Sequence, residues 1–318
     1  MERTPAVLVV NTRARDGAEM LEAARRAVEA CGLPLADVVA VQEPDRMESA
    51  VTLAADAGAR LVIVGGGDGT LSCAANALAG RDVTLGVLPL GTANDFARGL
   101  GLGRTLEGAC RVLAEGTPKR VDLGQANGRY FLNAASVGLT TVVAAHLDAS
   151  LKKRLGRLAY PMKAATEAWK LEPFHVRLRT PERTLELDAL QVVVANGRFM
   201  GGGRITHPDA TLDDRLLSVY VVSAPFDGSA GQGEDASPRL QKLWRLGRVG
   251  LLLGRGRHLA LPEVEHFQTR SLQLETEPLL EVNADGELVG RTPMAFGLAP
   301  GALRVLVPSP APATAPAP

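Results

Sequence analysis

The segment LVIVGGGDGTLSCAANALAG, residues 61–80, constrains the fold more than any other part of the chain. Four apolar residues typical of a buried strand lead into a glycine-rich run that contains one aspartate and ends at Thr70. The residues that follow, up to Gly80, have the composition of a helix. A turn from strand to helix points backbone N–H groups outward and adds the positive end of the helix dipole. The loop is therefore suited to bind phosphate.

The loop matches neither of two common phosphate-binding motifs. The GK[ST] of a Walker A loop is absent, and Gly65, Gly67 and Thr70 do not complete GxGxxG. The distinctive part is the run Gly66-Gly67-Asp68-Gly69-Thr70. A tight structural turn with a capping Asp or Thr is the alternative. Four glycines, which let the backbone approach a ligand closely, favour a phosphate cradle.

The first third of the chain alternates strand and helix patterns. Apolar runs predict strands at 6–11, 37–42, 61–64 and 84–91, and amphipathic or alanine-rich stretches predict helices at 18–32, 47–58 and 70–80. This alternation is typical of parallel strands joined by right-handed crossovers.

A second candidate loop, LPLGTANDFAR at 88–98, follows the fourth predicted strand. Ligands of open α/β sheets bind at the carboxyl ends of the strands. Thr92 and Asn94 are therefore candidates for hydrogen bonds to a ligand. Either could instead cap the helix that contains Phe96, and the residues leave both interpretations open.

The pattern changes near residue 120. Short alternating runs separated by turn residues predict an antiparallel sandwich or barrel, interrupted by helical segments near 146–170 and 239–253 and by an exposed loop at 227–238. We therefore expect an α/β domain at 1–122, a β-sandwich domain at 123–300 and a disordered Pro/Ala-rich tail at 308–318. A last strand near 302–307 could return to either domain.

Bulk properties exclude some functional classes. The 318 residues carry 35 basic and 35 acidic side chains, so no whole-protein attraction to nucleic acid is expected. The three cysteines have no metal-binding spacing, which favours a reducing compartment. The N-terminal residues lack the apolar core of a signal peptide, and no apolar stretch approaches the ~20 residues of a membrane span. We expect a cytoplasmic protein.

GGGDGTLSCAANAL followed by LGVLPLGTANDFARGLGL resembles the diacylglycerol kinase catalytic domain, in the branch of soluble bacterial lipid kinases related to sphingosine kinases. Later blocks are also similar to this family: RVDLGQANGRYFLNAASVG at 120–138, VANGRFMGGGRITHPDATLDDRLLSVYVV at 194–222 and VNADGELVGRTPM at 282–294. GGDGT alone is shared with NAD kinases and phosphofructokinases, whereas the combination is much more specific.

The resemblance implies a two-domain kinase that phosphorylates the hydroxyl of diacylglycerol or a related lipid, with its active site in the interdomain cleft. ATP and Mg²⁺ are the implied cofactors, and Glu287 matches the catalytic base. The implied ligands of ATP are Gly65, Gly66, Gly67, Asp68, Gly69, Thr70, Leu71, Thr92 and Asn94. Asp214 and the backbone carbonyls of Thr211 and Leu216 match a Mg²⁺ site that supports the active site.

The chemistry of phosphoryl transfer agrees with these residues. The reaction needs positioning, a cation to neutralise charge and a base aimed at the attacking hydroxyl. The phosphate loop supplies the carboxylate of Asp68, a second catalytic candidate, and the predicted sandwich supplies Glu287. The alternative for the Asp285-Gly286-Glu287 run is a plain hairpin turn, since Asp-Gly is a common hairpin signal.

The chain departs from the family pattern at several positions. Thr12 follows Asn11 where the family often has proline, although Arg13 and Arg15 keep a phosphate contact open. Val41 replaces a threonine, and Ser72 and Cys73 replace Asn and Glu. Arg215 replaces a glycine after Asp214, at a turn where a positive φ would be costly.

Membrane contact and two rival functions stay open. The segment 239–258 mixes leucines and Trp244 with arginines, a composition that suits either a peripheral membrane contact at the inner face or a helix packed on the sandwich with its arginines solvated. The rival functions are an NAD kinase-like phosphotransferase and a non-catalytic lipid- or nucleotide-binding protein of the same fold. The sequence does not specify the lipid, and it leaves a homodimer open.

Overall fold

The computed structural model describes residues 5–13, 17–103, 105–145, 166–168, 170–224 and 238–309. The chain forms two compact units: residues up to Val121 together with those from Gly301 onward, and Asp122–Pro300. Parts of three predicted segments lie outside the described residues. They are the exposed loop up to residue 237, residues 146–165 of the helical insert and residues 310–318 of the tail. Residues 166–168 and 170 of the insert are helical.

The first unit alternates strands and helices. Its elements are β1 (Ala6–Asn11), α1 (Gly17–Ala30), β2 (Leu35–Val41), α2 (Met47–Asp56), β3 (Leu61–Gly66), α3 (Asp68–Leu78), β4 (Thr84–Pro89), α4 (Asp95–Gly99) and α5 (Leu106–Glu115). The strands β1, β2, β3 and β4 pair in parallel in the order β2-β1-β3-β4. Apolar side chains on the strands, among them Leu8, Ile63 and Leu88, pack with Val28 of α1 and Leu113 of α5.

The second unit is built mainly from antiparallel strands. Its elements are β5 (Thr117–Ala126, which begins in the first unit), β6 (Arg129–Phe131), β7 (Ala134–Gly138), α6 (Leu139–Ala145), β8 (Phe174–Arg179), β9 (Thr184–Ala195), β10 (Phe199–Met200), β11 (Arg204–Ile205), β12 (Leu217–Ser223), α7 (Pro238–Leu253), β13 (Val264–Thr269), β14 (Ser271–Glu277), β15 (Glu281–Ala284), β16 (Glu287–Arg291) and β17 (Met294–Val307).

The long strand β9 organises this second unit. It pairs antiparallel with β7, β8 and β12, and β14 pairs in turn with β8 and β17. The alternating apolar residues that predicted these strands form a common core that includes Phe131, Phe174, Leu274 and Phe296. The predicted fold class, a parallel α/β domain followed by an antiparallel β-sandwich, is confirmed.

The last strand, β17, belongs to both units. Residues Ser271 to Leu274 of β14 pair antiparallel with its first half, whereas Arg304 and Val305 near its end pair in parallel with Thr84 and Leu85 of β4. The strand near 302–307, which the sequence assigned to neither domain, thus completes the parallel sheet of the first unit.

No helix within the described ranges is both long enough and apolar enough to cross a lipid bilayer.

One buried imidazole is a distinctive feature of the second unit. His258 is fully buried, and its ring stands edge-on to Tyr220 with 4.9 Å between the ring centroids. Burial lowers the pKa of His258 to about 4, since the charged form would lose its hydration. The folded state therefore holds this ring neutral.

The low pKa of His258 makes stability depend on pH. Below about pH 6.5 the unfolded chain takes up a proton that the folded chain rejects, so the free energy of unfolding falls as the pH drops from 6.5 towards 4. We expect a loss of about 1.5 kcal/mol between pH 6.5 and pH 5 from this residue, because the slope reaches roughly 1.4 kcal/mol per pH unit only below pH 6.5. Urea unfolding of wild type and His258→Phe at both pH values measures it. Equal losses in the two proteins would contradict the assignment.

Candidate functional site

Three loops of the first unit meet at one edge of its sheet. Because β1, β3 and β4 are parallel neighbours, their carboxyl ends, at Asn11, Gly66 and Pro89, lie at the same edge. This is the edge at which open α/β sheets bind their ligands. The glycine loop and the second candidate loop are therefore neighbours, as the sequence predicted.

The glycines of the first loop have different roles. Gly65 and Gly66 are buried residues of β3, and a Cβ on Gly66 would lie 2.5 Å from the Thr70 side chain. Gly67 precedes α3 and packs against the second loop, where a Cβ on Gly91 would lie 2.4 Å from its Cα. Around Gly69 there is open space. Close packing thus explains most of the glycine content, and Gly69 borders the space that a ligand could enter.

Asp68 joins the two loops by a hydrogen bond. Its Oδ1 accepts the backbone N–H of Phe96 at 2.9 Å, so this carboxylate caps α4 from the other loop. The position is electrostatically favourable, because Asp68 lies in the first turn of α3 and its carboxylate faces the first turn of α4. The carboxylate in the middle of the glycine run therefore fixes the geometry of the edge.

Thr70 and Leu71, both predicted to contact phosphate, lie deeper in the fold. The Thr70 hydroxyl accepts a hydrogen bond from Nδ2 of Asn11 at 2.9 Å. Leu71 is fully buried, and its N–H donates to the Gly67 carbonyl within α3. Sequence reasoning missed this role of Asn11, since the contact spans 59 residues. Arg15 lies outside the described residues.

Asn94 holds the second loop in shape. It adopts a left-handed conformation with φ of 51°, its Oδ1 accepts the Gly91 N–H, and its Nδ2 donates to the carbonyls of Pro89 and Gly91. Its side chain makes no capping bond to α4. The residue that caps α4 with its side chain is therefore Asp68, and not Asn94.

A pocket of about 130 Å³ opens beside this loop. The exposed residue Thr92 lines it, together with Asn94 and Arg98. An arginine at a pocket next to a phosphate-type loop suits an anionic ligand. Sequence reasoning did not single out Arg98, although the basic residue in NDFAR was a usable signal.

Residues 211–216, which contain the predicted magnesium ligands, form a tight turn that the Asp214 carboxylate closes. Its Oδ2 accepts the Thr211 N–H at 3.0 Å and its Oδ1 accepts the Leu216 N–H at 2.9 Å. Each carboxylate oxygen has a second lone pair, and oxygen donors suit Mg²⁺. The donor set of Asp214 with the carbonyls of Thr211 and Leu216 therefore fits the chemistry of a magnesium ion. Within the described residues no three His, Cys, Asp or Glu side chains cluster as metal ligands.

Arg215 adopts the positive φ that would be costly for an arginine at this turn. Its φ is 62°, in the left-handed region that favours glycine. Its N–H donates to Oδ2 of Asp122 at 2.8 Å, and Asp122 is buried. This charge-assisted bond offsets part of the strain and keeps the turn in place.

Glu287 begins the second strand of a tight hairpin. Asp285 and Gly286 form the turn between β15 and β16, both with positive φ, as in a type I′ turn. The sequence predicted this turn. The side chain of Glu287 is 48% exposed, and its Oε2 lies 3.2 Å from a guanidinium nitrogen of Arg129 on β6. Sequence reasoning missed Arg129, which is 158 residues away.

Asp285 anchors this hairpin to the loop between β6 and β7. Its carboxylate accepts the backbone N–H groups of Leu132 at 2.6 Å, Asn133 at 2.9 Å and Ala134 at 3.3 Å. Three N–H donors on one carboxylate form a charge-assisted cluster. The position of Glu287 therefore depends on its neighbour Asp285.

Comparison with known proteins identifies the family. Residues 5–126 match the diacylglycerol kinase catalytic domain, and residues 133–230 and 237–307 match the YegS C-terminal NAD kinase beta sandwich-like domain. The chain belongs to the family of lipid kinases that combine these two domains. Membership in a kinase family implies the use of ATP.

Individual relatives agree with this assignment. A protein of Pseudomonas aeruginosa named "Probable lipid kinase YegS-like" is 35% identical over 98% of this chain and 97% of its own length. A Staphylococcus epidermidis protein named "Diacylglycerol kinase" is 32% identical over 74% of this chain and 70% of its own. A Bacillus anthracis str. Sterne protein, solved as a candidate diacylglycerol kinase, superimposes with a TM-score of 0.75 at 27% identity and 96% coverage of both chains.

The role of Asp285 as an anchor can be tested by Asp285→Asn. Asparagine keeps the shape but loses the charge and one acceptor oxygen, and its NH₂ group would face N–H donors. We expect a loss of about 2 kcal/mol or more in the free energy of unfolding, with faster amide exchange at Leu132, Asn133 and Ala134. Chemical unfolding and hydrogen exchange measure these effects, with the exposed Asp209→Asn as control. Unchanged exchange at the three amides would contradict the anchor.

Proposed function

We propose that the chain transfers the γ-phosphoryl group of ATP to the hydroxyl of diacylglycerol or a related lipid. Family membership supports the kinase activity, and the name of the Staphylococcus epidermidis relative supports this acceptor. The observation that carries the proposal is the linked pair of loops at the sheet edge, where Asp68 caps α4 and Gly67 contacts Gly91.

The linked loops offer a preorganised place for the phosphates of ATP. The first turn of an α-helix has N–H groups without acceptors in the preceding turn, and in α3 this turn contains Gly69 and Thr70. Their positive potential attracts phosphate oxygens. In this proposal the exposed Thr92 contacts the nucleotide from the second loop, and Arg98 contributes positive charge at the adjoining pocket.

Magnesium is part of the proposal as a bound ion. It would neutralise negative charge on the phosphates, as it does in phosphoryl transfer generally. Asp68 would hold it near the glycine loop, and Asp214 with the carbonyls of Thr211 and Leu216 would hold the supporting ion. The fit of oxygen donors at both places supports this assignment.

Glu287 is the proposed general base. Its exposed carboxylate can accept the proton of the lipid hydroxyl while that oxygen bonds to the γ-phosphorus and ADP leaves with the electrons of the broken P–O bond. Asp285 keeps the hairpin in position. Arg129 orients the Glu287 carboxylate through their 3.2 Å contact, which leaves further lone pairs for the substrate proton.

The phosphate-loop assignment can be tested by Asp68→Asn. Asparagine retains an oxygen that accepts the Phe96 N–H, so the fold should persist with a similar melting temperature. Loss of the charge should reduce phosphoryl transfer by about 100-fold or more. A radiolabelled-ATP assay measures this against diacylglycerol, ceramide, sphingosine, phosphatidylglycerol and NAD, with Asp45→Asn, at an exposed position of the same unit, as control.

Several outcomes of this assay would contradict the proposal. Near-wild-type turnover in folded Asp68→Asn would exclude the carboxylate from catalysis. Phosphorylation of NAD but of no lipid would establish the NAD kinase-like activity instead. No transfer to any acceptor, combined with retained ATP binding, would favour a nucleotide-binding protein without catalysis.

Glu287→Gln tests the general base separately. Glutamine keeps the size of the side chain but cannot accept the proton, so kcat should fall by about 100-fold or more. ATP affinity should change little, because the proposed base is not a phosphate ligand. Steady-state kinetics and ATP titration calorimetry measure the two quantities, with Glu281→Gln on the partner strand as matched control. An unchanged kcat would remove Glu287 from the mechanism.

A further inference from the structure

Helix α7 has apolar residues on both its buried and its exposed sides. Val249 and Leu253 are buried against Tyr220 and Val193, and Leu246 and Leu252 pack beside them. The prediction that segment 239–258 packs on the sandwich therefore accounts for one face of the helix. A helix that only packs on a sheet has polar side chains on its outer face.

The most exposed positions of α7 have no polar side chains. From Leu240 to Leu253, the positions exposed to solvent are two leucines, one tryptophan and two glycines: Leu240, Trp244, Gly247, Gly250 and Leu251. The side chains of Leu240, Trp244 and Leu251 are 53%, 60% and 71% exposed. At 100° per residue they lie within about 40° of one another around the axis. We call these three residues the outer stripe.

The two glycines widen this face. A Cβ at Gly247 or Gly250 would meet no atom within 4 Å, so no neighbouring segment requires a small residue there. Glycine is otherwise unfavourable in a helix interior. The outer face is thus smooth, apolar and convex over roughly 16 Å between Leu240 and Leu251.

Positive charge adjoins the outer stripe, although the buried Lys242 and the half-buried Arg245 donate to backbone carbonyls on the packed side of the helix. Residues 238–260 contain six Arg or Lys and no Asp or Glu, although the whole chain has equal numbers of both signs. Arg255 and Arg257 are exposed just beyond the helix. The guanidinium of Arg248 stacks on the Trp244 ring at 4.2 Å, which holds the indole in place, and one of its nitrogens lies 3.5 Å from the buried Glu263.

We propose that the outer stripe of α7 docks on the surface of an anionic lipid bilayer. A convex apolar stripe next to arginines fits the interfacial zone, where leucine and tryptophan enter the acyl boundary and guanidinium groups contact lipid phosphates. The concentration of cations in this segment favours an anionic bilayer over an apolar protein groove. The inference extends the proposed function, whose substrate is a lipid, but vesicle binding is tested without ATP or turnover.

Vesicle sedimentation tests the docking directly. We expect the wild-type chain to sediment with phosphatidylcholine vesicles that contain 30% phosphatidylglycerol, and to bind pure phosphatidylcholine more weakly. The double variant Leu240→Gln/Leu251→Gln should lose at least about tenfold in partition coefficient. The matched control is Leu53→Gln on α2, where a helical leucine is 68% exposed, and it should bind like wild type.

A spectroscopic measurement covers the case in which the double variant does not fold. In a Trp169→Phe chain, Trp244 is the remaining tryptophan, and its emission should shift to shorter wavelength when the anionic vesicles are added. Arg255→Gln/Arg257→Gln should weaken this response and its dependence on salt.

Three results would overturn the docking proposal. In the first, the wild-type chain does not bind anionic vesicles. In the second, the folded double leucine variant binds them as well as wild type does. In the third, the emission of Trp244 does not shift when the vesicles are added. A wild-type dimer that the double variant converts to monomers would assign the outer stripe to a second copy of the chain. Failure of the kinase proposal would appear differently, as vesicle binding without phosphorylation, even of a water-soluble short-chain diacylglycerol.

Discussion

Carboxylates that accept backbone N–H groups hold three separate turns of the candidate site. Asp68 accepts from Phe96, Asp214 accepts from Thr211 and Leu216, and Asp285 accepts from three consecutive residues that begin at Leu132. Such charge-assisted bonds are shorter and stronger than neutral ones, so each of these carboxylates does much to fix the backbone around it. Asp68 and Asp214 would also contribute negative charge to the proposed chemistry. The local geometry of the site and its proposed chemistry therefore depend on the same kind of side chain.

Much of the architecture follows from local sequence patterns. The run from Leu61 through the glycines predicted the strand, the loop and the following helix, and the alternating runs after residue 120 predicted antiparallel strands. Asp285-Gly286 predicted a hairpin turn, and the expected cost at Arg215 corresponds to its positive φ. These features depend on neighbours in the chain, which is why a single sequence contains them.

Features that depend on distant contacts could not be predicted in this way. The bond between Asn11 and Thr70 and the ion pair between Arg129 and Glu287 join residues far apart in the chain. The periodicity of apolar residues also does not show which of two apolar stripes on a helix faces inward. In α7 the inward stripe contains Val249 and Leu253, and only the three-dimensional structure distinguishes it from the outer stripe. For the same reason the sequence did not distinguish glycines that pack from the one that borders open space.

The course of β17 has a consequence for how the chain acquires its structure during synthesis. The parallel sheet of the first unit gains its strand beside β4 from Arg304 and Val305, which the ribosome adds after nearly all of the sandwich. Until then the edge of β4 presents unpaired N–H and C=O groups that can pair with other strands. The nascent first unit is thus exposed to aggregation for most of translation. The first unit can therefore complete its sheet only after the end of β17 has been synthesised and has paired with β4.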